Sequence, residues 1–249
     1  MRYAFISDIH GNLVALESVL SHIAEQNVTK IFCVGDVVGY GPYPKECIEL
    51  LCSKDVLTIL GNHEEYLLGL SDKKSFNSFA RASLESTRNE LEPQHLEYLS
   101  CIQKYYISPD LRFKMTHDPI IHAMSYFILE GRVKNILFES SSQRICVVGH
   151  THKAAVYMLD MSKRKVSQIY PSQDMLFDNG FKDGFSYIVN VGSVGQPRDN
   201  NPLSSYAIID FDENTFQLIR VPYDIEKVKN QMVSKDIPNY LYNRLSWGR

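Results

Sequence analysis

Short apolar runs in this chain end repeatedly on small polar clusters. Residues 2–7 lead into Asp8-Ile9-His10, residues 30–34 into Gly35-Asp36, and residues 56–60 into Gly61-Asn62-His63-Glu64. Residues 112–115 then lead into Thr116-His117-Asp118, and residues 144–148 into Gly149-His150-Thr151-His152. Runs of this length and composition read as buried strands. Helical patterns lie between the first three: Asn12 caps a stretch whose Leu13, Leu16, Leu20 and Ile23 share one face, and a second helix covers residues 44–53. Strands alternating with helices predict an α/β fold with parallel pairing covered by helices. In open parallel sheets, sites form where strands end at their carboxyl side. The polar clusters are therefore expected to converge on one edge.

Residues 64–111 change character. They are polar and helix-rich and lack strand signals, and Pro93 separates two helices, so the segment reads as a helical insertion bordering the site. Tyr105 and Tyr106 read as packing residues, and His22 and His95 as surface residues. From residue 154 the pattern becomes hairpin-like. Residues 155–159 and 166–170 flank the solvated Lys163-Arg164-Lys165 turn, residues 186–191 and 205–211 follow, and residues 215–221 pair back across Asp212-Glu213-Asn214. A helix over 224–234 opens a helical tail, residues 222–249. With no repeat or linker-like stretch, residues 1–249 read as one domain.

Composition narrows the function classes. A formal net charge of −3 supplies no bulk attraction to nucleic acid or anionic membrane. The five cysteines are odd in number and form no CxxC pair, which argues against a disulfide framework or a thiolate zinc site. No apolar run approaches a bilayer span, and the first residues are too soon polar for a signal peptide. A cytoplasmic location is expected, with no membrane and no nucleic-acid partner. The oligomeric state stays open.

Carboxylate, amide and imidazole ligands together suit borderline first-row divalent metals rather than calcium. Residues two apart, as in Asp8-Ile9-His10 and His150-Thr151-His152, can approach a metal pair from one side. A lone aspartate at a strand end, such as Asp36, can bridge two ions.

The ordered series resembles the calcineurin-like metallophosphoesterase superfamily over residues 1–152. Val38-Gly39-Tyr40-Gly41-Pro42, the segment from Asn190 to Arg198, and Ile237-Pro238-Asn239-Tyr240-Leu241 extend the likeness to a bacterial and archaeal branch of phosphodiesterases and diadenosine-tetraphosphatase-like proteins. The resemblance implies two face-to-face mixed β-sheets between helical layers. It implies two divalent ions, drawn from manganese, iron, zinc or nickel. Asp8, His10, Asp36 and His152 would hold one ion, and Asp36, Asn62, His117 and His150 the other. His63 would be the general acid and Asp36 the catalytic bridge, with metal-activated water attacking a small phosphorylated, nucleotide-like ester. Glu64 is placed to orient His63, and Asn190, Arg198 and Tyr40 are candidate substrate contacts.

The chain departs from the pattern in places. Gly39-Tyr40-Gly41 stands where protein phosphatases carry Asp-Arg-Gly, Glu64 replaces a more usual Asp, and His117-Asp118-Pro119 replaces His-Gly-Ser. His122 is therefore an alternative ligand to His117. A phosphodiesterase is the expected activity, with a phosphomonoesterase or dinucleoside polyphosphate hydrolase as alternatives. A catalytically silent protein-binding scaffold is the alternative of another class.

Overall fold

The computed structural model describes residues 1–71, 76–110, 112–118, 144–171, 174–177 and 180–249. β1 (Arg2–Ile6) explains the layering. Its Ala4 and Ile6 join a core shared with helices, whereas Phe5 faces a second core with Phe113, Met115, Tyr187 and Val189. Side chains alternate across a strand, so a continuous apolar run buries both faces.

The first sheet has the order β3-β2-β1-β11-β12-β9, built from β2 (Lys30–Cys33), β3 (Leu57–Thr58), β9 (Met175–Phe177), β11 (Ser204–Asp210) and β12 (Thr215–Val221) around β1. The second has the order β4-β5-β6-β10-β7-β8, from β4 (Tyr105–Ile107), β5 (Phe113–Thr116), β6 (Ile145–Val148), β7 (Ala155–Asp160), β8 (Lys165–Ile169) and β10 (Phe185–Asn190). The sheets pack face to face, with Phe5 edge-on to Phe113 at 5.2 Å between ring centroids. Parallel pairs β1–β2, β2–β3, β5–β6 and β6–β10 sit beside antiparallel hairpins, so both sheets are mixed.

Helices cover the outer face of the first sheet. Asn12 Oδ1 accepts from Ala15 N at 3.1 Å and starts α1 (Leu13–Ala24). α2 (Pro44–Ser53) begins on a proline, whose fixed φ suits a first helical turn. Then come α3 (Asn62–Leu67), α4 (Ser78–Glu90), α5 (Pro93–Cys101), α6 (Ile225–Ser234) and α7 (Asn239–Asn243), with a 3₁₀ turn at Arg244–Trp247. Among the described residues, no helix is long and apolar enough to cross a membrane.

The polar clusters leave strands of two facing mixed sheets, as the resemblance implies. Other expectations are corrected. The segment read as purely helical ends in β4, an edge strand too short for a period-2 signal. In it Tyr106 packs on Phe32 while Tyr105 stays 64% exposed. β9 was not anticipated. The strand expected over residues 56–60 shrinks to Leu57–Thr58, because β2 is its only strand partner among those described. His95 is buried, with Nδ1 accepting from Glu92 N at 3.1 Å. His22 is half-buried and meets the Tyr206 hydroxyl at 2.8 Å.

Candidate metal centre

Strand pairing decides which clusters meet. β1 and β2 are parallel neighbours, so the segments leaving them run side by side. Asp8 N donates to Gly35 O at 3.0 Å, His10 N to Asp36 O at 3.0 Å, and Gly11 N to Val37 O at 2.8 Å. From the facing sheet, the segment after β6 crosses to them, and His150 N donates to Asp8 Oδ2 at 3.0 Å. Gly149 makes this approach possible, because a Cβ there would lie 2.0 Å from Ser7 Oγ and 2.5 Å from Asp8 Oδ2.

Three of the clusters turn sharply as they leave their strands. Asp8, His10, Asp36, His150 and His152 have φ of 52°, 51°, 53°, 67° and 58°. Left-handed backbone costs an L-residue on the order of 1–2 kcal/mol and persists only where the surroundings over-determine it. The side chains gather into three overlapping groups, Asp8/His10/His152, His10/Asp36/His63 and Asp36/His117/His150, with ligand atoms within 4.8 Å of one another in each. Asn62 Oδ1 joins the last group, 2.9 Å from His150 Nδ1. The structure thus brings together every residue expected at the metals. His122 lies outside the described residues.

The histidine tautomers follow from backbone contacts. Nδ1 of His10 faces Val38 O at 3.0 Å, Nδ1 of His117 faces Val34 O at 2.7 Å, and Nδ1 of His152 faces Gln196 O at 2.6 Å. A carbonyl only accepts, so each Nδ1 carries the proton and each Nε2 of a neutral ring presents a lone pair. Nε2 of His10 and Nε2 of His152 stand 3.0 Å apart. Asp8 Oδ1 lies 3.3 Å from the His152 nitrogen and 3.8 Å from the His10 nitrogen. Asp8 Oδ1 is buried without a hydrogen-bond partner. Buried lone pairs that converge without a donor are costly. A divalent cation among them satisfies all at once, so the donor set fits a metal.

Burial pushes the Asp8 carboxyl up to about 7, against the pull of His117. Burial also opposes the charge on Asp36, but His117 and then His63 hold it well below the usual carboxylate range. For His117, burial disfavours the charge, yet the Asp36 carboxylate beside it raises the ring to about 10. Burial holds His10 and His152 well below their ordinary value.

His63 sits beside these residues on α3. Its backbone N–H donates to Asp36 Oδ1 at 2.9 Å, and its ring packs 4.6 Å from His10 and 4.8 Å from Tyr40. Gly39, at φ 86°, lies so close that a Cβ would be 2.3 Å from His63 Nδ1. Burial lowers the ring to about 4.

Glu64 does not contact that imidazole as expected. It is fully buried and accepts from Asp36 N at 2.9 Å, Val38 N at 3.1 Å and Gly61 N at 2.8 Å, clamping the loops after β2 and β3. Burial, and then Asp36, push it up to about 7.

Asn190 is also buried. Its amide donates to Gly149 O at 2.7 Å and Thr151 Oγ1 at 3.0 Å, and its carbonyl accepts from Gly192 N at 3.0 Å. It braces the His150–His152 turn rather than offering donors to phosphate. Tyr40 is only 9% exposed, and the Arg198 guanidinium lies 5.6 Å from its ring centroid. Arg198 also donates to Gln196 Oε1 at 2.6 Å, which fixes the guanidinium beside the cluster.

Sequence reasoning missed the clamp role of Glu64 and the backbone carbonyls that orient the histidines. It also missed Asp118, whose Oδ2 is 3.8 Å from His150 Nε2. The available signal for the first was a glutamate three residues after Gly61 at the start of α3, where a carboxylate reaches back to the N-cap N–H.

Comparison with known proteins agrees with the geometry. The model of the calcineurin-like phosphoesterase superfamily domain matches residues 1–214. The chain is 32% identical over 249 residues to uncharacterized protein MJ0912 of Methanocaldococcus jannaschii, covering 99% of this chain and 98% of that one. A crystal structure of a metallophosphoesterase from Sphaerobacter thermophilus superposes with a TM-score of 0.85 at 34% identity, covering 100% of both chains. Hypothetical protein PH1004 from Pyrococcus horikoshii OT3 shares the fold, with a TM-score of 0.78 at 19% identity over 100% of this chain and 98% of that one. A phosphate-ester hydrolase by family and by architecture, this chain belongs to the calcineurin-like phosphoesterase superfamily.

Proposed function

We propose that the protein is a binuclear-metal-dependent phosphodiesterase. Asp8, His10, Asp36 and His152 hold one ion, and Asp36, Asn62, His117 and His150 hold the other, with Asp36 shared. The observation that carries this reading is the facing pair of His10 and His152 lone pairs at 3.0 Å, with Asp36 reaching both neighbouring groups.

Two bound divalent ions would supply an activated water and neutralise charge on the phosphoryl oxygens. The chain's own residues do the remainder. Backbone bonds from Val34, Val38 and Gln196 keep each Nε2 aimed at the centre, so little reorganisation accompanies reaction. Arg198 places a cation on the Tyr40 side, where it would meet a phosphoryl oxygen. His63 would donate to the leaving oxygen. Its ring is neutral at pH 7, so bound substrate charge must favour the imidazolium before it can deliver a full proton.

A diester is favoured over a monoester because Gly39-Tyr40-Gly41 brings an aromatic ring beside His10 and His63. The arginine of the protein-phosphatase Asp-Arg-Gly motif is absent there, which leaves Arg198 as the guanidinium on the Tyr40 side, one cation suited to a monoanionic diester. The test is hydrolysis of bis(p-nitrophenyl) phosphate after exhaustive chelation and after adding Mn²⁺, with elemental analysis alongside. Loss and recovery are expected. Full activity without metal would refute the reading, and metal binding without hydrolysis of any phosphate ester would favour a silent scaffold.

A further inference from the structure

Arg220 of β12 is buried, although it follows Phe216 and Leu218 on the strand face that fills the core between the sheets. Its guanidinium meets Asp199 with both arms. One nitrogen donates to Oδ1 at 3.3 Å, and the other donates to Oδ2 and, at 3.2 Å, to Pro171 O. Asp199 is itself nearly enclosed, with 14% of its side chain exposed. A forked pair of this kind fixes direction as well as distance. As a source of stability it is weak, because apolar side chains of similar size often serve a core as well as a buried ion pair. Its place in the fold points to a different use.

Asp199 ends the segment Gln196-Pro197-Arg198-Asp199, which runs beside the turn carrying His152. The two are tied at three places. Gln196 O accepts from His152 Nδ1 at 2.6 Å, Arg198 N donates to His152 O at 3.0 Å, and Asp199 Oδ2 accepts from Ala154 N at 3.3 Å. Asn190 braces the other half of the same turn through Gly149 O and Thr151 Oγ1. Each histidine of the turn therefore has its own support, Asn190 on the His150 side and the 196–199 segment on the His152 side. Arg220 joins the far end of that segment to the first sheet.

We propose that Arg220 is a positioning residue for the metal centre, acting through Asp199 to seat Arg198 and the His152 ring. This role rests on the binuclear phosphodiesterase reading for what Arg198 and His152 do. Without the fork, the segment loses its anchor at Asp199, and the Gln196 carbonyl and the Arg198 guanidinium move with it. The ion assigned to Asp8, His10, Asp36 and His152 should weaken, and the one assigned to His117 and His150 should not.

Arg220→Lys is the test, because an ammonium keeps the charge beside Asp199 but cannot grip both oxygens as a fork does. Thermal denaturation should show the fold retained. Titration of the full chain with Mn²⁺ should show one ion weakened about tenfold and the other unchanged. In a His152→Ala background Arg220→Lys should add no further loss, whereas in a His117→Ala background it should add the whole of it. At saturating Mn²⁺, KM for bis(p-nitrophenyl) phosphate should rise about tenfold with kcat near the wild-type value. Asp199→Asn, which keeps an acceptor for Ala154 N but loses the charged fork, should reproduce the pattern.

The metal-free protein supplies a readout that does not depend on the phosphodiesterase reading. With ¹⁵N-labelled histidine, the His152 ring signals should shift in Arg220→Lys while those of His117, anchored on Val34 O, stay in place. A fall in Tm with unchanged metal affinity, KM and His152 signals would overturn the proposal and leave the pair a structural brace. Equal weakening of both ions would overturn it too. A wild type that hydrolyses no phosphate ester would sink the phosphodiesterase reading, and the histidine spectra would still decide whether Arg220 seats His152.

Discussion

Glu64 Oε2 accepts a hydrogen bond from the backbone N–H of Asp36 at 2.9 Å, so a carboxylate on α3 holds the loop that leaves β2. The same oxygen takes Gly61 N and its twin takes Val38 N. This buried clamp fixes the shared aspartate without standing among the proposed ligands.

Replacing Glu64 by glutamine would therefore test architecture. The amide NH₂ cannot accept, so at least one of these N–H groups loses its partner in a dry environment. The expected cost is about 2 kcal/mol, or roughly 4–8 °C in Tm for a chain of this size. Thermal denaturation would measure it. Metal affinity should fall as well, and Glu64→Asp should restore neither, because the shorter arm cannot span both loops.

Asp36 belongs to two of the three ligand groups, whereas His152 belongs to one. Asp36→Asn should lower occupancy at both metal sites, and His152→Ala mainly at one. The loss in affinity for the removed ligand should exceed the roughly 10–100-fold typical of an outer-sphere change. Titration with Mn²⁺, followed by metal analysis, reads the stoichiometry. Loss of one ion in both variants would contradict the shared role.

His117 places Nε2 3.1 Å from Asp36 Oδ2, with its Nδ1 anchored on Val34 O. His117→Ala should lose metal and His122→Ala should keep it. Metal content of the two purified variants decides this, and the reverse result would shift the ligand to His122.

His63 offers the clearest separation of catalysis from metal binding. His63→Gln should keep two ions and near-normal KM. Its kcat should fall by roughly 10²–10⁴-fold when the leaving group is an alkoxide such as a nucleoside hydroxyl. With p-nitrophenolate, which needs little protonation, the deficit should shrink markedly. Equal deficits for both leaving groups would show that the ring orients phosphate or stabilises charge instead of donating a proton.

Much of this molecule follows from local pattern. The alternation of apolar strands with polar ends located Asp8, Asp36, His117 and His150, because each comes directly after a strand, three of them in left-handed turns. Asn12 announced α1 through its cap and Pro44 announced α2, since both signals act within one helical turn. The tertiary structure decided that β1 and β2 lie in one sheet while β5 and β6 lie in the facing one. Sheet membership depends on which distant strand completes each ladder, and β1 finds β11 about two hundred residues away. It also turned Asn190 from a presumed phosphate contact into an internal brace, and made Glu64 a clamp on three backbone donors. The meeting of Arg220 with Asp199 was likewise beyond the sequence. A residue's type states what it can bond, but its partner across a long separation is set by packing.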